Sequence, residues 1–197
     1  MVDEHYAFWT EKSKKAWVLS DDYRDYWSKV IFDNIPRKTA TLYLCDVGSG
    51  NCSIASNMAD KHKIIQRIDC IEPYVSSING VNSKIYLIKK HCCDYFEGTS
   101  SIYDYVIFKQ SLHHVMTENW EKLFSDIKRC LSNNGKIFIL TMPERIEYPM
   151  FERAQRKFQQ NQLSHNKLER ALNRTGFKVS SQPYDYKKIV NKTYFYN

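Results

Sequence analysis

The residues Asp46-Val47-Gly48-Ser49-Gly50 place a carboxylate two positions ahead of a Gly-x-Gly pair, between an apolar run and a helix-compatible segment. A strand that runs into paired glycines and then a helix aims backbone N–H groups and a helix N-terminus at a ligand, with glycines where side chains would collide. Glu72 ends the next apolar run, at the spacing of an acid that hydrogen-bonds a ribose diol one strand over. A third cluster, Lys109-Gln110-Ser111-Leu112-His113-His114, follows the fourth run. An ordinary imidazole titrates near neutral pH, so His113 can serve as general base or orient a substrate, and Lys109 can meet a carboxylate or phosphate. Adjacent histidines point apart, so no metal site is expected there.

The loop discriminates among nucleoside ligands. A dinucleotide fingerprint needs a third glycine for close helix packing, and Ser53 stands at that position. Asp46 occupies a place that is ordinarily apolar in dinucleotide loops. An acid there suits a ligand carrying an amino group and a sulfonium charge, and argues against NAD.

Something must hold these groups at one end of a sheet. Five short apolar runs, Ala40–Val47, Ile64–Pro73, Lys84–Cys92, Tyr103–Gln110 and Gly135–Pro143, alternate with polar segments long enough for helices. That alternation predicts an α/β fold, a doubly wound, mostly parallel sheet with helices on both faces. Between the fourth and fifth runs, Trp120, Leu123, Phe124, Ile127 and Leu131 recur at helical intervals, which predicts a helix capped by Thr117 and stopped by Asn133-Asn134-Gly135. A further helix is expected between Ser164 as cap and Gly176 as stop, feeding a weaker sixth run, Gly176–Tyr186. A short or missing C-terminal strand is expected from the last residues, with KKIVNKTYFY as its candidate. Residues 1–39, dense in aromatics, are read as an N-terminal helical segment, either packed across the sheet through Tyr23, Trp27, Val30 and Ile31 or closing the site as a cap or lid, and residues 40–197 as the ligand-binding domain.

Composition narrows the class. A chain of 197 residues, 43% hydrophobic with 14 tyrosines and 10 phenylalanines, can bury one proper core. No apolar run approaches the roughly 20 residues of a membrane span, and the charged N-terminus lacks a secretory pattern. A soluble, cytoplasmic protein is expected. Its six cysteines are scattered with no CxxC pair, so they read as reduced thiols. The net charge of +7 favours an anionic partner, but the dispersed basic residues make nucleic acid the weaker alternative.

From Leu42 to Pro143, five motifs in order resemble the class I S-adenosylmethionine-dependent methyltransferases: DVGSGNCS, the acid of IDCIEP, the aspartate of HCCDYFEG, YDYVIFKQSLHHV, and LFSDIKRCLSNNGKIFILTMP. The resemblance implies S-adenosyl-L-methionine as cofactor, with Asp46, Gly48 and Gly50 on the methionine portion, Glu72 on the ribose, Asp94 on the adenine amino group and Gln110 at the junction with the acceptor. Ser49, Pro73, Tyr95 and Lys109 complete the implied contacts, and His113 is the implied catalytic group. Cys52 stands where the family often has a third glycine. The loop after the fourth run lacks the Asn/Asp-Pro-Pro-Tyr/Phe motif of base and glutamine amino methyltransferases. The implied activity is methylation of an oxygen or nitrogen on a small anionic metabolite. The alternatives are an RNA-modifying enzyme and an inactive binding module.

Overall fold

The computed structural model describes residues 21–35, 41–75, 82–140 and 164–181. Helix α1 (Asp21–Asp33) precedes strand β1 (Leu42–Val47), helix α2 (Ser53–Lys61), strand β2 (Ile65–Ile71), strand β3 (Ile85–Ile88) and helix α3 (Cys92–Gly98). Strand β4 (Tyr103–Lys109), two 3₁₀ turns, helix α4 (Trp120–Arg129), strand β5 (Leu131–Leu140) and helix α5 (His165–Arg174) follow. The five strands form one sheet in the order β3-β2-β1-β4-β5, and every pairing is parallel.

The strands were legible because a parallel sheet is covered on both faces, leaving near-continuous apolar runs rather than alternation. On one face, Leu42, Leu44, Ile68 and Ile107 pack with Ile31 of α1 and Ala55 and Met58 of α2. On the other, Cys45, Val47, Val106 and Phe108 pack with Trp120, Phe124 and Ile127 of α4 and Leu168 and Leu172 of α5. In α1, Trp27 and Ile31 are buried as expected while Val30 is half-exposed; the side chain of Tyr23 lies outside the described residues. Strand order reverses at β1 and β4, which opens a crevice at their carboxyl ends.

Several boundaries differ from the sequence expectation. Helix α4 stops at Arg129, and Asn133-Asn134-Gly135 fall inside β5. Leu131 pairs with Tyr103 but Lys136 with Tyr105, so the segment bulges out of the ladder there. A Cβ on Gly135 would sit 2.9 Å from the Ser132 nitrogen, so the glycine permits a tight bend in the strand rather than a helix stop. Thr117 opens a 3₁₀ turn, and the N-cap position of α4 falls to Asn119. Cys92 begins α3 instead of ending β3. At α5 the cues hold: Ser164 accepts from the Lys167 N–H at 3.4 Å, and Gly176 (φ 79°) closes the helix. Its N–H reaches Asn173 and that of Phe177 reaches Leu172, the double bond of a Schellman stop. Residues 177–181 form no strand, and the rest of the sixth run and the proposed final strand lie outside the described residues. All six cysteines are free thiols. Among the described residues, no helix is long and apolar enough to cross a membrane.

One buried carboxylate braces the sheet. Asp69 of β2, 1% exposed, accepts from Arg67 Nε at 2.6 Å and from the Tyr103 hydroxyl at 2.6 Å, while the Tyr95 hydroxyl lies against both Tyr103 and Asp69. Burial, reinforced by this carboxylate, pushes the Tyr103 phenol well above its ordinary range, so it stays a donor. Tyr103→Phe removes one donor from a buried charge and is expected to cost about 1–2 kcal/mol. In a chain of this size that is a fall in Tm of roughly 2–8 °C, read by thermal denaturation.

Candidate active site

At the crevice, β1 ends in Val47 and the chain turns through Gly48 (φ 71°), Ser49, Gly50 (φ 56°) and Cys52 (φ 59°) into α2. The Gly48 N–H donates to the Ile71 carbonyl at 2.9 Å, which extends the sheet ladder one residue beyond the strand. The Cys52 N–H closes the turn on the Ser49 carbonyl at 3.0 Å. A Cβ at Gly48 would lie 2.3 Å from the Ser111 Cβ, whereas one at Gly50 would meet nothing within 4 Å. The first glycine admits the neighbouring loop; the second leaves open space beside backbone N–H groups. Cys52 keeps the left-handed backbone that favours glycine, with its side chain fully buried in the core beneath the loop. The substitution therefore leaves the path of the turn intact.

Two carboxylates face this turn. Glu72, the first residue past β2, accepts from the Gly50 N–H at 3.0 Å through one oxygen and from the Tyr74 N–H at 3.3 Å through the other. Burial raises its pKa, and these two backbone donors restrain the rise. Each oxygen keeps a lone pair for a diol. Asp46 is 9% exposed, and burial pushes its carboxyl up to about 7; the field of Lys109 opposes the shift and that of Glu72 adds to it.

The loop after β4 is pinned at both ends. Gln110 takes a left-handed backbone (φ 53°), rare for a residue with a side chain, and its N–H donates to the Leu140 carbonyl at 2.9 Å. Ser111 is buried and donates its hydroxyl to the Val47 carbonyl, tying the loop to the end of β1. Leu112 is buried, and the Trp120 indole N–H holds the Val115 carbonyl at 3.1 Å. Between these anchors a 3₁₀ turn carries His113, half-buried, and His114, exposed; with ring centroids 4.0 Å apart the two imidazoles lie together and do not point apart as the sequence led one to expect, because the chain there is a 3₁₀ turn and not a helix or strand. The Lys109 ammonium lies 5.2 Å from the centre of the Trp27 ring.

Asp46, Gly48, Ser49, Gly50, Glu72, Lys109 and Gln110 thus gather at the carboxyl ends of β1, β2 and β4. Pro73 is half-exposed directly after Glu72. Asp94 is exposed in the first turn of α3, and Tyr95 turns inward to the Asp69 cluster. Ser111 and Tyr74 were not singled out from the sequence. Ser111 was visible only as one small residue in a quoted loop, because its role depends on a glycine far away in the chain.

A family model described as a methyltransferase domain matches residues 20–182. The chain belongs to the methyltransferase-domain family. Its fold is the class I methyltransferase fold. The chain is similar in structure to phosphoethanolamine N-methyltransferase 2 of Haemonchus contortus in complex with phosphomonomethylethanolamine and S-adenosylhomocysteine, at a TM-score of 0.64 and 18% identity over 77% of this chain and 37% of that one. An S-adenosylmethionine-dependent methyltransferase of Archaeoglobus fulgidus gives a TM-score of 0.62 at 13% identity, covering 86% of this chain and 85% of that one. One from Leishmania major gives 0.58 at 17% identity over 82% and 68%. The chain spans well under two thirds of the Haemonchus enzyme's length. The search of curated proteins gives no match.

The residues fit S-adenosylmethionine on physical grounds. Open space over Gly50, a Gly48 without a side chain, one buried acid at the end of β1 and a second that accepts from the Gly50 N–H make a cradle for a nucleoside carrying an amino acid.

Proposed function

We propose that this methyltransferase transfers the methyl group of S-adenosylmethionine to an oxygen or nitrogen of a small anionic metabolite. The observation that carries the reading is Asp46: a buried carboxylate kept at the mouth of a glycine turn, on the side where a cationic ligand would repay its burial. S-adenosylmethionine supplies an already activated methyl group, so the protein's work is alignment, exclusion of water and removal of a proton where the acceptor needs it. Asp46, the Gly48–Gly50 turn and Glu72 hold the cofactor. Gln110 lines the junction with the acceptor, and His113 takes the acceptor's proton. Asp94 stands on the adenine side while Tyr95, buried against Asp69, does not reach it, and helix α1 caps the site through Trp27, which lies against Lys109. The net charge of +7 supports an anionic acceptor, as does the phosphate-bearing molecule in the Haemonchus complex. The left-handed Cys52 supports an active enzyme over a binding-only module, because the turn keeps its shape without the third glycine.

Calorimetric titration of S-adenosylmethionine and S-adenosylhomocysteine, with NAD as control, tests the reading. Micromolar binding of both and none of NAD is the expected result. A folded protein that binds neither overturns it.

A further inference from the structure

Cys92 and Cys93 open helix α3, directly ahead of Asp94. Both are half-buried at the rim of the core that holds Trp120 and Phe124, whereas Cys45, Cys52, Cys70 and Cys130 are buried. An oxidant in solvent therefore meets this pair first. The two thiols hydrogen-bond each other. Glu97 lies one turn beyond Cys93 on the same side of α3 and takes the Lys122 ammonium of α4 at 3.0 Å, which brings a cation beside Cys93. The Cys93 thiol is held down to about 7, chiefly by the bond to Cys92; Lys122 assists, while burial and Asp94 oppose. Cys92 is pushed up by the same contact and by burial, so it keeps its proton. A thiolate and a thiol thus touch at neutral pH, the pairing of an attacking and a resolving cysteine.

Helix α3 is anchored unevenly. From Tyr95 onward it is pinned: the Tyr95 hydroxyl lies against Asp69, Phe96 is fully buried, and Arg129 donates to the Phe96 carbonyl at 2.6 Å and the Thr99 carbonyl at 2.8 Å. Ahead of that point the first turn closes through the Tyr95 N–H to the His91 carbonyl at 3.0 Å, and Asp94 is exposed. Consecutive Cα atoms are about 3.8 Å apart, below the roughly 4.4 Å at which unstrained disulfides begin, so a bond between these two sulfurs must bend the backbone. The bend falls on the first turn and carries Asp94 with it.

We propose that Cys92 and Cys93 form a peroxide-sensitive dithiol switch, whose disulfide unwinds the first turn of α3 and weakens cofactor binding. The effect on binding rests on the cofactor reading above, in which Asp94 stands on the adenine side. The Cys93 thiolate attacks one oxygen of hydrogen peroxide; an S–O bond forms as the O–O bond breaks, and hydroxide leaves. The Cys92 sulfur then attacks the resulting sulfenic acid, the S–S bond forms, and the second oxygen leaves as water with the Cys92 proton. Two thiols lose two electrons, and one peroxide is reduced to two waters once the hydroxide takes a proton from solvent. The strain makes the disulfide readily reducible, so a small thiol resets the switch.

The test treats the full chain with hydrogen peroxide at a level that leaves the four buried cysteines intact. Mass spectrometry should find the peptide spanning Cys92 and Cys93 lighter by two hydrogens, and dithiothreitol should restore it. Amide exchange at Tyr95 should quicken in the oxidised protein, and calorimetry should find S-adenosylhomocysteine bound roughly 3- to 10-fold more weakly, the worth of one hydrogen bond. Cys93→Ser should bind as the wild type does and ignore peroxide, and Cys92→Ser should leave a Cys93 sulfenic acid that dimedone traps. Failure of the wild type to form the disulfide would overturn the proposal, as would a disulfide that leaves Tyr95 exchange or affinity unchanged. Absence of S-adenosylhomocysteine binding to the reduced protein would overturn the cofactor reading alone, with Tyr95 exchange still deciding whether the turn unwinds.

Discussion

Gly48→Ala is expected to abolish measurable S-adenosylmethionine binding and to lower Tm by about 6–12 °C, from roughly 3 kcal/mol of lost stability. Two costs combine. An L-residue at φ 71° is strained by about 1–2 kcal/mol. The new methyl group would also start 2.3 Å from the Ser111 Cβ, where contact ordinarily begins beyond 3 Å. Ser111 cannot step aside cheaply, since it is buried and its hydroxyl holds the Val47 carbonyl. Relief must come from the turn itself or from the β4 loop, and both lie in the site. Gly50→Ala is the matched control for stability: it shares a positive φ but its Cβ would meet no protein atom within 4 Å, so only the backbone strain should appear in Tm. The double variant Gly48→Ala with Ser111→Gly removes the opposing Cβ and should recover part of the lost Tm. If Gly48→Ala melts and binds like the wild type, the close approach of the two loops is wrong.

Asp46→Asn should separate stability from function. In the free protein the carboxyl titrates at about 7, against 3.8 for an ordinary aspartate, chiefly because it is buried. The proton thus favours the folded state. Its contribution is full below the unfolded value of 3.8, falls as pH rises, and is lost once pH passes about 7. Three pKa units correspond to a ceiling of about 4 kcal/mol, so above neutral pH the asparagine variant should melt several degrees higher than the wild type. Binding runs the other way. A cationic ligand needs the ionised carboxylate, so wild-type affinity should climb up to about ten-fold per pH unit on the acid side of 7 and level off above it. The variant should show a flat profile and an affinity lower by roughly 100-fold above neutral pH, the worth of a buried charge-assisted contact. Melting curves and titrations across the pH range check both halves. A wild-type affinity that is flat across neutral pH would dismiss Asp46 as the ammonium's partner.

Above neutral pH the two effects meet in one residue. The acid that costs the free protein stability is the one that gives the ligand its purchase, which explains why a carboxylate is kept where asparagine would fold more easily.

The sequence alone determined the order of strands and helices, because strands covered on both faces must be apolar along their whole length and α4 must repeat its buried positions every three or four residues. It also marked the Asp46–Gly50 turn and Glu72, because the glycine spacing and the acid after the next strand are local patterns. What it misplaced were local cues with competing uses: Asn133-Asn134-Gly135 reads as a helix stop, yet the pairing of β5 with β4 draws the strand back to Leu131. Only the tertiary structure decided the rest. Ser111 meets the end of β1 across 64 residues of chain, and Tyr103 meets Asp69 across 34, with no periodicity to announce either. Trp27 reaches Lys109 only because α1 packs on the same face to which β4 turns its last side chain. Local patterns specify the elements; parallel register and two-sided packing specify which distant side chains share the crevice.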